Sequence, residues 1–249
     1  MTGAAGGIGG AIADELSRLG ATLTLMGRRR ERLAAKRDEL RRHAGHVAEE
    51  ILDVTDADAV PAAFAAAAAR FGPVAILVNN AGAAESAPFL KADAALLERM
   101  LAVNLKGAFA CARAALPGML AARHGRIVNV ASTAGLTGYA YVTAYCAAKH
   151  ALVGLTRALA LELAKTGITV NAVCPGFTDT DLVARSAETI AAKTGRTVEA
   201  ARAELGRTNP LGRLMAPAEV AAAVGFLALP SATAITGQAI VVAGGEVMN

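Results

Sequence analysis

The chain has 249 residues, 54% hydrophobic and 18% charged, which excludes a disordered chain and suits a globular α/β protein with a substantial core. Its net charge of +4 favours an anionic small ligand but gives no ground for a nucleic-acid partner. Three scattered cysteines exclude a disulfide framework and a CxxC metal site, and no apolar run approaches the ~18 residues of a membrane span.

Short apolar runs alternate with longer helical stretches along the whole chain. Strands are expected at Ala21 to Met26, Val47 to Leu52, Val74 to Val78, Arg126 to Ala131, Ile168 to Val173 and Gln238 to Val242. Helices are expected at Gly9 to Leu19, Arg29 to His43, Asp56 to Arg70, Asp93 to Ala122, Thr143 to Lys165 and Pro217 to Leu227. Gly20, Gly72, Gly125 and Gly167 stand where helix C-caps are expected. Such alternation implies a single α/β domain, a doubly wound parallel sheet of Rossmann type with helices on both faces. The polar, helix-prone segment Asp181 to Leu211 interrupts the alternation and is expected to lie over the carboxyl ends of the strands, where ligands bind. The opening MTGAAGG lacks the features of a secretory signal, so a cytoplasmic location is expected.

Residues Thr2 to Gly9 read TGAAGGIG. Gly3, Gly7 and Gly9 permit a tight turn and close backbone approach to a pyrophosphate, and the helix that follows offers free N–H groups to it. Such a loop normally follows a strand, yet only Met1 precedes it. The first, central strand is thus missing from the sequence, and a truncated start is expected, since its neighbours would otherwise face each other with unpaired backbone.

Tyr145 and Lys149 share a helix face at i, i+4, and a nearby ammonium lowers a phenol's pKa into the range of acid/base work. Ser132 ends a strand in NVASTAG, where its hydroxyl could bind an oxygen that gains charge. Asn79 to Gly82 read NNAG at another strand end, where Asn80 is open to a second reading as a buried amide tying helix to sheet. Asn104 stands in an otherwise apolar helical stretch, an unfavourable place for an amide without a partner.

The ordered set TGAAGGIG, Asp53 in LDVTD, NNAG, Asn104, Ser132, YxxxK at Tyr145 to Lys149 and PGFTDT at Pro175 to Thr180 resembles the short-chain dehydrogenase/reductases over essentially the whole chain. The resemblance implies seven parallel strands, the first absent here, and an NAD(P)(H)-dependent interconversion of a carbonyl and an alcohol. It implies a catalytic tetrad of Asn104, Ser132, Tyr145 and Lys149. Tyr145 would exchange the proton, Ser132 hold the substrate oxygen, Lys149 lower the tyrosine pKa and bind the nicotinamide ribose, and Asn104 fix a relay water. Cofactor contacts would come from Thr2, Gly3, Gly7, Ile8, Gly9, Arg28, Arg29, Asp53, Val54, Asn80, Ala81, Gly82, Pro175, Gly176, Thr178 and Thr180, together with Tyr145 and Lys149. A homo-oligomer, tetramer or dimer, would form through the long helices at Asp93 to Ala122 and Thr143 to Lys165.

No acidic residue follows Leu25-Met26-Gly27 to accept from a ribose 2′-hydroxyl; Arg28 and Arg29 could instead pair with a 2′-phosphate, which favours NADP(H) over NAD(H). LELAKTGITVNAVCPGF is similar to bacterial 3-oxoacyl-thioester and polyketide ketoreductases, implying a 3-oxoacyl or 3-hydroxyacyl substrate on CoA or a carrier protein. Steroid, sugar and cyclic alcohol dehydrogenases share these motifs, and a catalytically silent cofactor-binding regulator is the alternative of another class. Ala83 to Ala92, Ala134 to Thr143 and Asp181 to Leu211 are expected to set specificity.

Overall fold

A computed structural model describes residues 1–42 and 46–248. In chain order the elements are α1 (Gly7–Arg18), β1 (Leu23–Gly27), α2 (Arg30–Arg41), β2 (Val47–Ile51), α3 (Ala59–Phe71), β3 (Ile76–Asn79), α4 (Ala94–Leu101), α5 (Gly107–Ala122) and β4 (Gly125–Val130). They continue with α6 (Thr143–Leu163), β5 (Ile168–Pro175), α7 (Asp181–Thr194), α8 (Val198–Gly206), α9 (Pro217–Ala228) and β6 (Ala239–Val242). All strand pairs are parallel. The alternation therefore gives the doubly wound Rossmann-like architecture expected of it. The expected end of the second helix at His43 lies outside the described residues.

The strands form two groups, β1-β2 and β3-β4-β5-β6. Met1 to Ala4 join them. Thr2 N donates to Val78 O of β3, while Met26 N of β1 donates to Met1 O and Ala4 N to Met26 O. The facing edges of β1 and β3 are thus partly satisfied by these residues, where unpaired backbone was expected.

One face of the sheet is covered by α1 and α9, whose Ile12, Ala13, Leu16, Val220 and Val224 pack with Leu25, Val78 and Val128. The other face is covered by α3 and α5, through Phe64, Cys111, Ala115 and Met119 packed against Leu77 and Ile127. β4 and β5 are buried over their full length, and their polar residues Arg126, Asn129, Thr169 and Asn171 are buried with them. Three glycines end helices in left-handed backbone as expected: Gly20, Gly72 and Gly167. Gly125 does not. Arg123 takes the left-handed conformation after α5, and Gly125 lies in β4, where an added Cβ would come within 2.7 Å of Met119 Sδ.

The long helix expected from Asp93 to Ala122 is interrupted. Ala102–Lys106 form a π-helical turn between α4 and α5, and Asn104 sits in its middle. The insertion contributes α7 and α8, which pack on each other through Val183, Ala187, Ala201 and Leu205. Beneath the site, Asn79 Nδ2 donates to Asn129 Oδ1 at 2.9 Å, and Asn129 Nδ2 to Thr156 Oγ1 at 2.9 Å. This buried amide chain ties the carboxyl ends of β3 and β4 to α6. Arg126, also buried, donates to the carbonyls of Gly125, Leu229 and Pro230 and so holds the C-terminal end of α9 against β4.

Candidate active site

The glycine loop lies at the carboxyl end of the sheet. Gly3, Gly6 and Gly7 all have positive φ, at 65°, 157° and 54°. A Cβ on Gly9 would lie 2.0 Å from Gly3 O, so only glycine lets the helix start fold back on the loop. Gly6, at the N-cap of α1, gives no side-chain cap, which leaves the first N–H groups of the helix free for an anion. Thr180, at the start of α7, reaches the loop: its Cγ2 would be 3.2 Å from a Cβ on Gly7. This cradle fits a pyrophosphate.

Asn80 closes the loop from beneath. Its Nδ2 donates to Gly3 O at 2.9 Å and to Thr2 O at 3.3 Å, while Thr2 Oγ1 accepts from Asn80 N and Ala81 N. The half-buried amide thus ties strand end to glycine loop, where its second reading expected a buried amide tying helix to sheet, and it shapes the cradle in doing so. Ile8 packs on the core cluster below.

At the other end of the cradle, Arg28 is exposed at the tip of β1, 3.6 Å from Asp53. Although partial burial pushes the other way, hydrogen bonds from Thr55, with help from Arg28, hold the Asp53 carboxyl below its ordinary value. Val54 is buried, and Arg29 is the exposed N-cap of α2. Pro175 ends β5. Thr178 Oγ1 donates to Gly176 O, and Thr178 bridges Met215.

The tetrad residues converge at the ends of β3 and β4. Asn104 Nδ2 donates to Ala83 O at 2.9 Å and to Met100 O at 3.0 Å, the latter a partner left by the π-turn. A Cβ on Gly82 would lie 2.9 Å from Asn104 Oδ1 and 3.7 Å from Lys149 Nζ, so these two groups face a common point. Lys149 Nζ lies 5.7 Å from the centre of the Tyr145 ring and donates to Val130 O at 2.9 Å. Ser132 Oγ accepts from Ala134 N at 3.1 Å and draws on the Tyr145 phenol.

The electrostatics differ from expectation in one respect. Burial pushes the Tyr145 phenol up to about 12, against a smaller opposing pull from Ser132. Burial likewise pushes Lys149 down to about 8, with only buried Cys174 opposing it. Lys149 was expected to lower the tyrosine pKa. Desolvation decides it here, because the buried phenol loses its hydration and only the hydrogen bond with Ser132 opposes the rise. The phenol therefore carries its proton at neutral pH.

Two loops expected to set specificity are joined, since Ala87 N donates to Tyr141 O. Tyr139 also bonds here, to Thr133 and to Glu246, contacts that no local motif signals. Among the described residues no group of His, Cys, Asp and Glu could hold a metal ion, and no helix is long and apolar enough to cross a membrane.

The short chain dehydrogenase family model matches residues 1–191. A putative ketoacyl reductase of granaticin polyketide synthesis from Streptomyces violaceoruber is 43% identical over 247 residues, 98% of this chain and 91% of that protein. The cis-4-hydroxycyclohexanecarboxylate dehydrogenase of Sinomonas cyclohexanicum is 40% identical over 250 residues, 98% and 94% of the two chains. A solved variant of actinorhodin polyketide ketoreductase with NADPH superposes with a TM-score of 0.95 at 39% identity, covering 98% of this chain and 95% of that one. The chain therefore belongs to the short-chain dehydrogenase/reductase family and is an NAD(P)-dependent oxidoreductase that interconverts a carbonyl and an alcohol.

Proposed function

We propose that the chain reduces the 3-oxo group of an acyl thioester, carried on CoA or a carrier protein, and prefers NADPH. The observation that carries the reading is the placement of Tyr145, with Lys149 Nζ 5.7 Å from its ring centre and Lys149 and Asn104 facing a common point at Gly82 beside the glycine cradle. A phenol so placed can give its proton to a carbonyl oxygen, the step that reduction requires. The ketoacyl reductase relative supports the substrate class.

In this reading Ser132 holds the substrate oxygen, and Tyr145 delivers the proton to it. Bound NADPH supplies the hydride. Lys149 binds the nicotinamide ribose, and Asn104 holds a water that returns the proton. Arg28 reads the 2′-phosphate, a role supported by its exposure at the end of β1 where no acidic residue follows Gly27. α7 and α8 cover the substrate. The exposed Phe109, Leu120 and Leu161 on α5 and α6 support a homo-oligomer, tetramer or dimer, built on these helices. The cyclohexanecarboxylate dehydrogenase relative favours a second reading, oxidation of a cyclic alcohol.

Steady-state kinetics with acetoacetyl-CoA and NADPH or NADH, set against cis-4-hydroxycyclohexanecarboxylate with NADP+ or NAD+, separate the two. The proposal expects higher kcat/KM for acetoacetyl-CoA with NADPH, and loss of the NADPH preference in Arg28→Ala. Higher kcat/KM for the cyclic alcohol would transfer the assignment to the second reading.

A further inference from the structure

One half-buried carboxylate near the site has no part in this chemistry. Glu246 lies in the segment after β6, and its Oε1 is 2.6 Å from the Tyr139 hydroxyl. That hydroxyl is also 2.8 Å from Thr133 Oγ1, and Thr133 directly follows Ser132. The other carboxylate oxygen, Oε2, is shut off from solvent with no hydrogen-bond partner, in a space a Cβ on Gly176 would invade at 2.6 Å. The Tyr139 ring stands edge-on to Phe177, with centroids 6.1 Å apart. The Glu246 carboxyl thus joins three segments: the one after β4 that carries Ser132, the one after β5, and its own.

The direction of the chain follows from proton count. A phenol has one proton and cannot donate to both neighbours. A carboxylate is the stronger acceptor, and its contact is the shorter one. Tyr139 therefore donates to Glu246 and accepts from the Thr133 hydroxyl. The Thr133 side chain is thereby fixed one residue from the hydroxyl that meets the substrate oxygen.

We propose that Glu246 is a positioning residue for the carbonyl/alcohol reaction, acting through Tyr139 and Thr133 on the placement of Ser132. The inference rests on the assigned role of Ser132 but not on the identity of the acyl carrier. A purely structural staple would lower stability and leave turnover by the folded enzyme unchanged. A positioning residue changes turnover with cofactor binding intact.

The test compares Tyr139→Phe, Glu246→Leu, Glu246→Gln and the double variant Tyr139→Phe/Glu246→Leu. Each is read by NADPH fluorescence titration, by thermal unfolding, and by kinetics on whichever of acetoacetyl-CoA and cyclohexanone the wild type reduces faster. Tyr139→Phe and Glu246→Leu should each lower kcat on the order of tenfold, as expected for a slightly misplaced reacting group, with the NADPH Kd unchanged. The double variant should be no slower than either single one, because both break the same chain. Glu246→Gln, which keeps an acceptor for the phenol, should recover most of the rate. Multiplying effects in the double variant, a kcat unchanged where only stability falls, or Glu246→Gln as slow as Glu246→Leu would each overturn the proposal. If Glu246→Leu does not fold, Tyr139→Phe and Glu246→Gln decide it alone, and a wild-type kcat in Tyr139→Phe overturns it. Failure of the substrate assignment would show instead in the wild type, as turnover of cyclohexanone but not of acetoacetyl-CoA.

Discussion

Replacing Lys149 with Met should make the folded protein more stable while abolishing its turnover. Lys149 is 4% exposed, and its Nζ has one protein partner, Val130 O. Burial lowers its pKa from 10.5 to about 8. Because the folded-state value is depressed, its contribution is most favourable above 10.5 and is lost as pH falls through 8. At ~1.4 kcal/mol per pKa unit, the buried charge costs the fold about 3 kcal/mol at pH 7. Met fills a similar volume without the charge, and losing the bond to Val130 O returns about 1 kcal/mol. The net gain is about 2 kcal/mol at pH 7, roughly 4–8 °C in Tm for a chain of this size. It should be gone by pH 10.5, where the lysine is neutral in the folded state and half-protonated in the unfolded one, so that little of the charge penalty remains. Urea unfolding of wild type and Lys149→Met at pH 7 and pH 10.5 measures this directly. A variant less stable than wild type at pH 7, or a gain of equal size at both pH values, would show that the buried Lys149 charge does not burden the fold.

Gly9→Ala places a Cβ 2.0 Å from Gly3 O and 2.5 Å from Asn80 Nδ2, so the glycine loop must open. NADPH affinity should fall at least about tenfold and Tm with it; fluorescence titration and a melt check both, and wild-type binding would contradict the assigned cradle. Arg126→Met strips donors from the carbonyls of Leu229 and Pro230 at the end of α9. It should cost about 1–3 kcal/mol in denaturant unfolding, and an unchanged midpoint would show that those carbonyls find other partners.

Much of the scaffold could be read from local pattern. The fully buried β4 and β5 are short β-branched-rich runs, and Gly20, Gly72 and Gly167 mark helix ends because left-handed backbone suits glycine best. Gly125 misled the same rule: Arg123 accepts the strained conformation, and the glycine is needed instead for close packing on Met119. Asn104 was visible as an amide out of place, but the π-turn that uses it was not, since its five residues are too short a stretch to establish a period of their own. The electrostatics were the least legible part. The i, i+4 spacing of Tyr145 and Lys149 shows proximity but not burial, and burial decides both of their pKa values. The Tyr139–Glu246 bond spans 107 residues, and no local pattern signals it.

The proposed function rests on Tyr145 giving the proton in an NADPH-dependent carbonyl reduction. The most direct measurement is NADPH consumption with acetoacetyl-CoA by wild type and Tyr145→Phe, alongside NADPH binding to each. The expected result is turnover by the wild type, a loss of roughly 10²–10⁴-fold in kcat in Tyr145→Phe, and equal cofactor affinity in the two. A Tyr145→Phe variant that retains its kcat would contradict it.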